Sequence, residues 1–460
     1  MSNHNLATDS SEGTSPKSWK IGTLTYTTTG LVVLFCWLLA GDLAWSTKDR
    51  SVMWVVQLLL KKFEASDTVI GIFLGGLPHG LTLLLMPVVS YLSDHHRGRW
   101  GRRIPFLAIS TPFTALSIFG LAFSPELGTW AHSLAGSYSP GLNNTILITF
   151  GVFWTIFEVS TIIANTVFFA LINDVVPKEV LGRFYGLFRA VGLGIGIAFN
   201  YWLFGKAETH FAWIFIGVGI IYAVGFTALC LKVREGEYPE PEIPRKAGKG
   251  VLSAVKDYGK TCLSQGLYLW IYVTIAFSWM AIWACNLFNV LFAKQLELDM
   301  DTYGKCVAAS FVISFVLSYF VGAAVDRVHP LRMSIATMAL FGVIALAGGF
   351  LVDDAASFRI LLISISVSSG LWMTASASIT MRLFPQAKFA QYDSVRGLIT
   401  SFGMMAISPI LGLLLDLNGH DYRLAYFVAG GFAVLALVTS FVVYRKFMLL
   451  GGDEHYKAPE

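Results

Sequence analysis

Twelve long apolar runs constrain this chain more than any other feature of its sequence. The hydrocarbon core of a bilayer is about 30 Å thick, so a helix needs about 20 apolar residues to cross it. The runs lie near residues 28–60, 68–92, 104–123, 144–172, 183–204, 211–231, 266–293, 303–325, 331–351, 358–383, 389–416 and 423–446. With 55% hydrophobic and only 13% charged residues, the 460-residue chain is predicted to be an all-α membrane protein with twelve transmembrane helices.

The longest charged interruption divides these runs into six and six. It extends from Lys232 to Lys260 and contains three prolines, which is typical of a linker. The predicted organisation is a disordered cytoplasmic tail (1–20), an N-terminal six-helix bundle (21–235), a cytoplasmic linker (236–262), a C-terminal six-helix bundle (263–448) and a cytoplasmic tail (449–460). The two halves also resemble each other, because an acid and basic residues follow both the second and the eighth run. Two parallel six-helix repeats are a transporter architecture that holds its substrate between them near the midplane.

The basic residues separate by side and so predict the orientation. Most of the 33 Lys and Arg residues fall in loops on one predicted side of the membrane. They are concentrated in residues 97–103, in residues 232–260 and at the end of the last span. Loops rich in Lys and Arg stay cytoplasmic. Both termini are therefore predicted to be cytoplasmic, with the protein multi-pass in the plasma membrane, or in the inner membrane of a bacterium. The first 20 residues lack the apolar core of a signal peptide.

One loop carries a resemblance to a known family. Residues 93–106, between the second and third runs, read Ser-Asp-His-His-Arg-Gly-Arg-Trp-Gly-Arg-Arg-Ile-Pro-Phe. This block resembles the same loop of the major facilitator superfamily. More narrowly, it resembles the glycoside-pentoside-hexuronide cation symporters and the related sucrose-proton symporters. The resemblance implies the major facilitator fold and transport of a sugar or glycoside; it covers the whole chain in layout but only this loop residue by residue.

Asp94 in this loop is a candidate gate residue. It ends the second helix, where the helix dipole disfavours an anion, so it needs a cationic partner. The candidate partners are Arg97, Arg102, Arg103 and Arg183. The resemblance implies a cytoplasmic gate that closes the outward-facing state, and Asp326 with Arg327 repeats the arrangement in the second half. The alternative is that these charges only fix the topology, since surface ion pairs contribute ~0 to 1 kcal/mol.

The first run contains charges that must face protein or water. An ionised side chain at the centre of a bilayer costs roughly 2.5 to 3.5 kcal/mol even on a lenient scale. Asp42, Trp45 and Asp49 follow helical spacing and place two acids and an aromatic ring on one face. We predict that they bind substrate together with Arg50, and that the two acids also carry the coupling proton. A helix break, a pair between Lys48 and a neighbouring acid, or an external loop are the alternatives.

The fourth and fifth runs each contribute one candidate. Glu158 is the only acid in the fourth run, and desolvation favours the protonated form of a lone buried carboxylate, which suits a proton carrier. A structural hydrogen bond is the alternative. The resemblance places a functional acid in this helix and a substrate-binding arginine where Arg189 stands in the fifth. Its guanidinium can hold two hydroxyls or one acid. Arg396, in the matching place of the eleventh run, follows Asp393 at i+3 and is predicted to pair with it.

The second half contributes aromatic and amide candidates. Trp279, Trp283 and Asn286 share one face of the seventh run, and Trp372 lies in the tenth among many Ser and Thr residues. These four could line a sugar path, because aromatic faces stack on the apolar faces of pyranose rings. The alternative is that the tryptophans lie at the membrane interface and the small residues serve helix packing.

The coupling ion is predicted to be a proton. The resemblance places two acids in the second span of the sodium-coupled members, where this chain has Thr82 and Met86. Sodium, as a hard cation, needs several oxygen ligands, and Met86 supplies none. The proton carriers would then be Asp42, Asp49 or Glu158, and no other cofactor is predicted.

The sequence thus predicts a monomeric secondary transporter that imports a sugar or glycoside with a proton. The alternative is an exporter or facilitator of another small solute, such as a drug, carboxylate or nucleoside, with Arg50 and Arg189 binding an anion. A receptor with a transporter-like body is disfavoured because no segment is long enough for a large soluble domain. No enzyme motif, metal-ligand spacing or nucleic-acid-binding feature is visible, and the five cysteines are scattered.

Overall fold

The computed structural model describes residues 18–237, 262–385 and 388–459, and most of them are helical. A short antiparallel hairpin, β1 (Trp19–Ile21) and β2 (Leu24–Tyr26), precedes the first helix. The helices are α1 (Thr28–Lys62), α2 (Asp67–His95), α3 (Ile104–Ala122), α4 (Ser124–Ala135), α5 (Leu142–Val175), α6 (Lys178–Ala198), α7 (Ala207–Lys232), α8 (Gly266–Gln295), α9 (Met300–Val328), α10 (Pro330–Leu351), α11 (Ala355–Leu383), α12 (Phe389–Leu417), α13 (Arg423–Leu449) and α14 (Gly452–His455). The predicted linker lies largely outside the described residues, as does most of the N-terminal tail.

Twelve of these helices cross the membrane. By length and apolar composition, the described residues contain eleven segments that could span it. One of them, Lys178–Lys232, has 55 residues, or about 80 Å of helix, which is more than twice the bilayer core. Irregular turns at 199–206 interrupt it, and α6 and α7 on either side both pack along α1. The segment therefore crosses twice, and the protein is an all-α membrane protein whose helices match the apolar runs.

The first six spans (α1–α3 and α5–α7, here the N-half) and the last six (α8–α13, the C-half) pack in the same pattern. In the N-half α1 packs on α7, and α3 packs on both α5 and α7. In the C-half α8 packs on α13, and α10 packs on both α11 and α13. Glycines allow some of these contacts, since a Cβ atom on Gly225 of α7 would lie 2.6 Å from Ala44 Cβ of α1. Such small-residue contacts are typical of helix packing in membranes.

Two local features of the N-half were not predicted from the apolar runs. The helix α4 lies between α3 and α5 and packs on α5, where a Cβ atom on Gly128 would meet Ile146. The helix α2 contains a π-turn at Ile72–Gly76, where the Leu77 N–H donates to the Ile72 carbonyl. The twelve residues of α4 mix polar and apolar side chains without a long apolar run, and the π-turn adds only one residue to an apolar helix. Neither feature therefore changes the hydropathy pattern enough to be seen in the sequence.

Among the described residues, the close contacts between the two halves lie towards one face of the bundle. We call the face that holds the described chain ends the terminal face, and the other the opposite face. Towards the opposite face, one continuous apolar core contains buried residues of both halves, such as Leu59 and Leu291. Towards the terminal face the core divides in two, one part around Phe168 in the N-half and one around Tyr268 in the C-half.

Backbone contacts at glycines show the same asymmetry. In the α2–α12 seam, a Cβ atom on Gly75 would lie 1.9 Å from Ser408 Oγ, and in the α6–α9 seam one on Gly304 would lie 2.2 Å from the Asn200 carbonyl oxygen. Both contacts lie towards the opposite face. At the terminal-face ends of α6, α9 and α12, by contrast, Gly186, Gly322 and Gly397 have nothing within 4 Å of a Cβ atom. In the part of the chain that the structure describes, the halves are therefore closed on the opposite face, while their apolar cores are separate towards the terminal face.

Candidate transport site and gates

The charges of α1 lie in the middle of the bundle. This helix packs against α6 and α7 and also contacts α8 of the other half. Lys48 is only 4% exposed and its Nζ atom lies 5.7 Å from the centroid of the Trp45 ring. Asp49 is exposed although its helix is surrounded by other helices. Because an ionised side chain that faces lipid at the middle of a span is costly, we infer that Asp49 faces the space between the halves.

Glu158 of α5 completes a charged cluster with these two residues. It is half-buried, and it lies within electrostatic range of both Lys48 and Asp49. We call Lys48, Asp49 and Glu158 the central cluster. With both acids ionised the central cluster carries one net negative charge, and one bound proton makes it neutral. An arrangement of this kind can load and release a proton with a change of only one charge in a poorly solvated place.

The Trp45 side chain packs against the apolar core of the N-half and does not lie on the surface predicted to bind substrate. Its ring lies 5.4 Å from that of Phe169 and 5.6 Å from that of Phe188, and its Nε1 donates to Asn165 Oδ1 at 2.8 Å. The two acids of that face also differ in environment. Asp42 is fully buried and accepts from Ser46 Oγ at 3.0 Å, while Asp49 is exposed. Helical spacing placed these three side chains on one face but could not show which neighbours cover it.

Asp42 and Arg50 each keep one unpaired polar atom. Among the described residues, no hydrogen-bond partner contacts Asp42 Oδ2 or Arg50 Nε, although both atoms are buried. The Arg50 guanidinium reaches the other half, where its Cζ lies 5.6 Å from the ring centroid of Phe311 on α9. A cation that contacts both halves and retains a free donor is suited to bind a polar group between them.

Arg189 lies on the stripe of α6 that faces the same space. It precedes Gly196 by seven residues, which places the two residues about 20° apart around the helix. A Cβ atom on Gly196 would lie 3.0 Å from Phe311 and 3.6 Å from Arg50 Cδ. Arg189 itself is exposed. Arg189 therefore lies on the side of α6 that Gly196 presents to Arg50, about two turns nearer the terminal face.

In the C-half, Trp279 of α8 and Trp372 of α11 form one aromatic wall. Their rings meet edge to face at 5.7 Å. The other two candidates have structural contacts instead. Trp283 Nε1 donates to Ser408 Oγ at 3.0 Å inside the α2–α12 seam, and its ring lies 5.4 Å from that of His79. Asn286 accepts from Asn289 Nδ2 at 3.3 Å.

The basic loop is held by acids that the sequence did not single out. Arg103 pairs with Asp94, as one of four predicted partners, and also donates to Asp174 Oδ2 at 3.0 Å. Arg102 forms a second ion pair with Asp174, at 2.6 Å. The Glu235 carboxylate accepts from the backbone N–H groups of Arg102, Arg103 and Ile104 at 2.7 to 3.0 Å. Asp174 ends α5 and Glu235 follows α7, so these bonds tie three helix ends within the N-half.

Of the four predicted partners of Asp94, Arg103 is the one that forms an ion pair with it here. Arg97 donates to the carbonyl oxygens of Asp94 and His96, at 2.7 and 2.8 Å. In the C-half, Asp326 pairs with Arg382 at 3.5 Å rather than with its neighbour Arg327. All these pairs join residues of the same half, and the predicted pair of Asp393 and Arg396 is also present, at 2.6 Å. In the state described here, the gate residues organise each half separately.

A polar cluster on the opposite face, absent from the sequence-based candidates, joins the two halves. Asp416, at the end of α12, accepts from the backbone N–H groups of Asp67 and Thr68 at 2.8 and 2.9 Å, and from Thr68 Oγ1 at 2.6 Å. Asp67 is fully buried, and His420 Nδ1 and the Tyr422 hydroxyl approach its carboxylate at 2.6 and 3.0 Å. Burial, with the adjacent Asp67 carboxylate, raises the pKa of Tyr422, which therefore remains a donor. Both acids flank apolar runs, but nothing in the sequence pairs positions some 350 residues apart.

Residues 67–420, which are most of the chain, match the model of the family described as MFS/sugar transport protein. The chain belongs to this family. Because members of the major facilitator superfamily are transporters and not enzymes, the protein is a multi-pass membrane transporter.

Solved structures show the same fold for this major facilitator transporter. It is similar to a bacterial homologue of the iron transporter ferroportin in an inward-facing state, with a TM-score of 0.67 and 16% identity over 90% of this chain and 99% of that one. A D-xylose-proton symporter gives 0.65 and 15% identity over 89% and 97%. A bacterial ferroportin homologue in an outward-facing state gives 0.55 and 17% identity over 89% and 98%. At such identities the likeness concerns the fold alone.

Proposed function

We propose that this major facilitator transporter imports a sugar or glycoside together with a proton by alternating access. It would act as a monomer in the plasma membrane, or in the inner membrane of a bacterium, with its terminal face in the cytoplasm. The described state is then inward-facing. The observation that carries the proposal is the central cluster, in which two acids share one buried lysine beside a space between the halves.

The surroundings of the central cluster suit a sugar. Arg50 and Arg189 can donate to hydroxyls from the N-half side, and the half-buried Trp279, whose ring packs on the buried Trp372, can stack on a pyranose ring from the C-half side. Protonation makes the central cluster neutral, which lowers the cost of closing the cavity around it. Bound substrate then favours closure only by the difference between its affinities for the two states.

A proton is favoured over sodium as the coupling ion, and no other cofactor is proposed. The Thr82 hydroxyl is engaged with the Pro78 carbonyl at 2.8 Å, and Met86 is 48% exposed and offers only a thioether. These two positions, where the sodium-coupled symporters that this sequence resembles have acids, thus lack the oxygen ligands that sodium needs.

Uptake by proteoliposomes tests the proposal. Purified protein should accumulate one or more members of a panel of mono- and disaccharides under an imposed proton gradient, and should not respond to a sodium gradient alone. Strict dependence on sodium would contradict the proton assignment.

The central cluster has its own test in Glu158→Gln. The variant should lose uphill accumulation, because it cannot exchange the proton, but should still exchange labelled for unlabelled substrate. Glu126→Gln, which changes an exposed acid in α4, is the matched control and should accumulate substrate normally. Normal accumulation by Glu158→Gln would show that Glu158 does not carry the proton.

A second function, transport of a carboxylate or another anion, is favoured by the unpaired Arg50 Nε atom and by the exposed Arg189. The same panel should therefore include mono- and dicarboxylates and a nucleoside. Uptake of an anion without uptake of any sugar would replace the first function by the second.

A further inference from the structure

The polar cluster on the opposite face is the strongest feature that the proposed function does not use. Its hydrogen bonds cross between the halves, whereas the ion pairs of the basic loop remain within one half. It lies at the end of the α2–α12 seam, where a Cβ atom on Gly412 would be 2.2 Å from the Asp67 carbonyl oxygen. The cluster therefore lies at the point where the seam closes against the outside.

Asp416 has its hydrogen-bond donors on α2 only while the seam is closed; its other close neighbour, His420 at 3.6 Å, belongs to the C-half. It lies in the last turn of α12, where the helix dipole disfavours an anion. In the closed seam its carboxylate accepts from the first two N–H groups of α2, where the dipole of that second helix favours an anion. Ser66 caps the next N–H, that of Val69, from within the N-half. Asp416 thus completes, from the other half, the N-terminal cap of α2.

Asp67 reinforces the same contact. Its carboxylate is fully buried and is surrounded by Lys61 at 3.3 Å, His420 at 2.6 Å and Tyr422 at 3.0 Å. Two of these three groups belong to the C-half. Because a carboxylate only accepts, His420 must carry its proton on Nδ1. Separation of the seam would remove Asp67 from His420 and Tyr422 and remove Asp416 from the end of α2 in the same step.

We propose that Asp416 is a positioning residue of the transport cycle and forms an outer latch, which stabilises the closed seam by capping α2 across the two halves. The latch acts on the balance between the state open to the terminal face and the state open to the opposite face, because its bonds exist in only one of them. It needs no assumption about the transported solute.

A cysteine at the inner part of the same seam can report this balance. In a variant whose five native cysteines are replaced, Met405→Cys places a thiol on α12 where a Cβ atom on Gly80 would lie 3.2 Å from the Met405 sulfur. Intact cells are treated with a membrane-impermeant maleimide in the absence of substrate. When the Asp416→Asn substitution is added to this reporter variant, the rate at which the introduced thiol is labelled should rise roughly tenfold, which is the change expected for the loss of one charge-assisted hydrogen bond.

The matched control is Asp353→Asn. Asp353 also forms an ion pair, at 2.5 Å with Arg423, but both partners belong to the C-half. The reporter variant that carries Asp353→Asn should be labelled at the same rate as the reporter variant without it. Equal rates for Asp416→Asn and the parent would overturn the proposal.

A pair of milder variants keeps the test decisive if Asp416→Asn does not fold. Thr68→Val removes the hydroxyl that donates to Asp416, whereas Thr68→Ser retains it. Faster labelling with Val than with Ser supports the latch, and equal rates contradict it. Because labelling requires no transport, failure of the latch is distinguishable from failure of the proposed sugar symport.

Discussion

At the scale of single residues, burial decides which charged side chains can act. Asp42 was predicted to bind substrate together with Asp49, but it is enclosed and bound to Ser46, whereas Asp49 is exposed. One Asp42 oxygen lacks a partner among the described residues, so protonation there would break no hydrogen bond. A role for Asp42 as a proton carrier therefore fits its environment better than direct contact with a sugar.

We expect Asp42→Asn to abolish uphill accumulation while it preserves substrate exchange. The amide imitates a protonated carboxyl group and retains an oxygen for the Ser46 hydroxyl, so the fold should be unaffected. The measurement is accumulation against counterflow in proteoliposomes, with Asp353→Asn as the control. Full accumulation by Asp42→Asn would exclude it as a carrier.

Asp174 is expected to matter for stability although no sequence pattern pointed to it. Its carboxylate holds both Arg102 and Arg103, and all three side chains are less than one fifth exposed. Asp174→Ala should destabilise the protein by about 1.5 to 3 kcal/mol, because two charged donors each lose a short ionic hydrogen bond. Thermal unfolding in detergent measures this, with Asp326→Ala, at an exposed pair, expected to cost at most ~1 kcal/mol. Equal melting temperatures for the two variants would be inconsistent with a structural role of Asp174.

At the scale of elements, the seams depend on backbone contacts as well as on polar groups. Gly412 allows α12 to approach the start of α2. Gly412→Ala should therefore oppose closure and shift the equilibrium towards the state open to the opposite face, by roughly 1 to 3 kcal/mol if the clash resembles overpacking in a core. The Met405→Cys reporter should be labelled faster from outside.

Gly431→Ala is the control for this substitution. Gly431 is an exposed glycine of α13 with nothing within 4 Å of a Cβ atom, so neither labelling nor transport should change. Unchanged labelling with Gly412→Ala would mean that α2 and α12 can adjust without separating.

At the scale of the whole molecule, the halves should approach each other on the terminal face during transport. Gly186 and Gly322 lie at the separated ends of α6 and α9 and have room for a larger side chain. The distance between spin labels at these positions should shorten when substrate is added at acidic pH. A pair within the N-half, at Gly186 and Gly217, should keep its distance. Parallel changes in both pairs would indicate deformation of the N-half rather than movement of one half against the other.

The span pattern could be predicted from the sequence because each apolar run reports its own environment. The contacts between halves could not, since Asp67 and His420 are 353 residues apart and helical periodicity says nothing about which faces meet. The same limit applied to Asp94, whose need for an arginine followed from the helix dipole while the choice of Arg103 depended on Asp174. The sequence likewise showed that Lys48 is a charge within a span. Its proximity to Glu158 could not be predicted, because it depends on how α1 packs on its neighbours.

The π-turn of α2 has a consequence for comparison with relatives. It adds one residue to a single turn, so a relative with a regular helix there can be aligned only with a one-residue gap. Thr82 and Met86 follow the turn, and their counterparts must be found by counting back from Asp94, not forward from Asp67. Deletion of one residue within Ile72–Gly76 should therefore restore a regular α-turn and leave Asp94 beside Arg103, whereas the same deletion in a regular turn of α2 would rotate the rest of the helix by about 100° and move Asp94 away from Arg103.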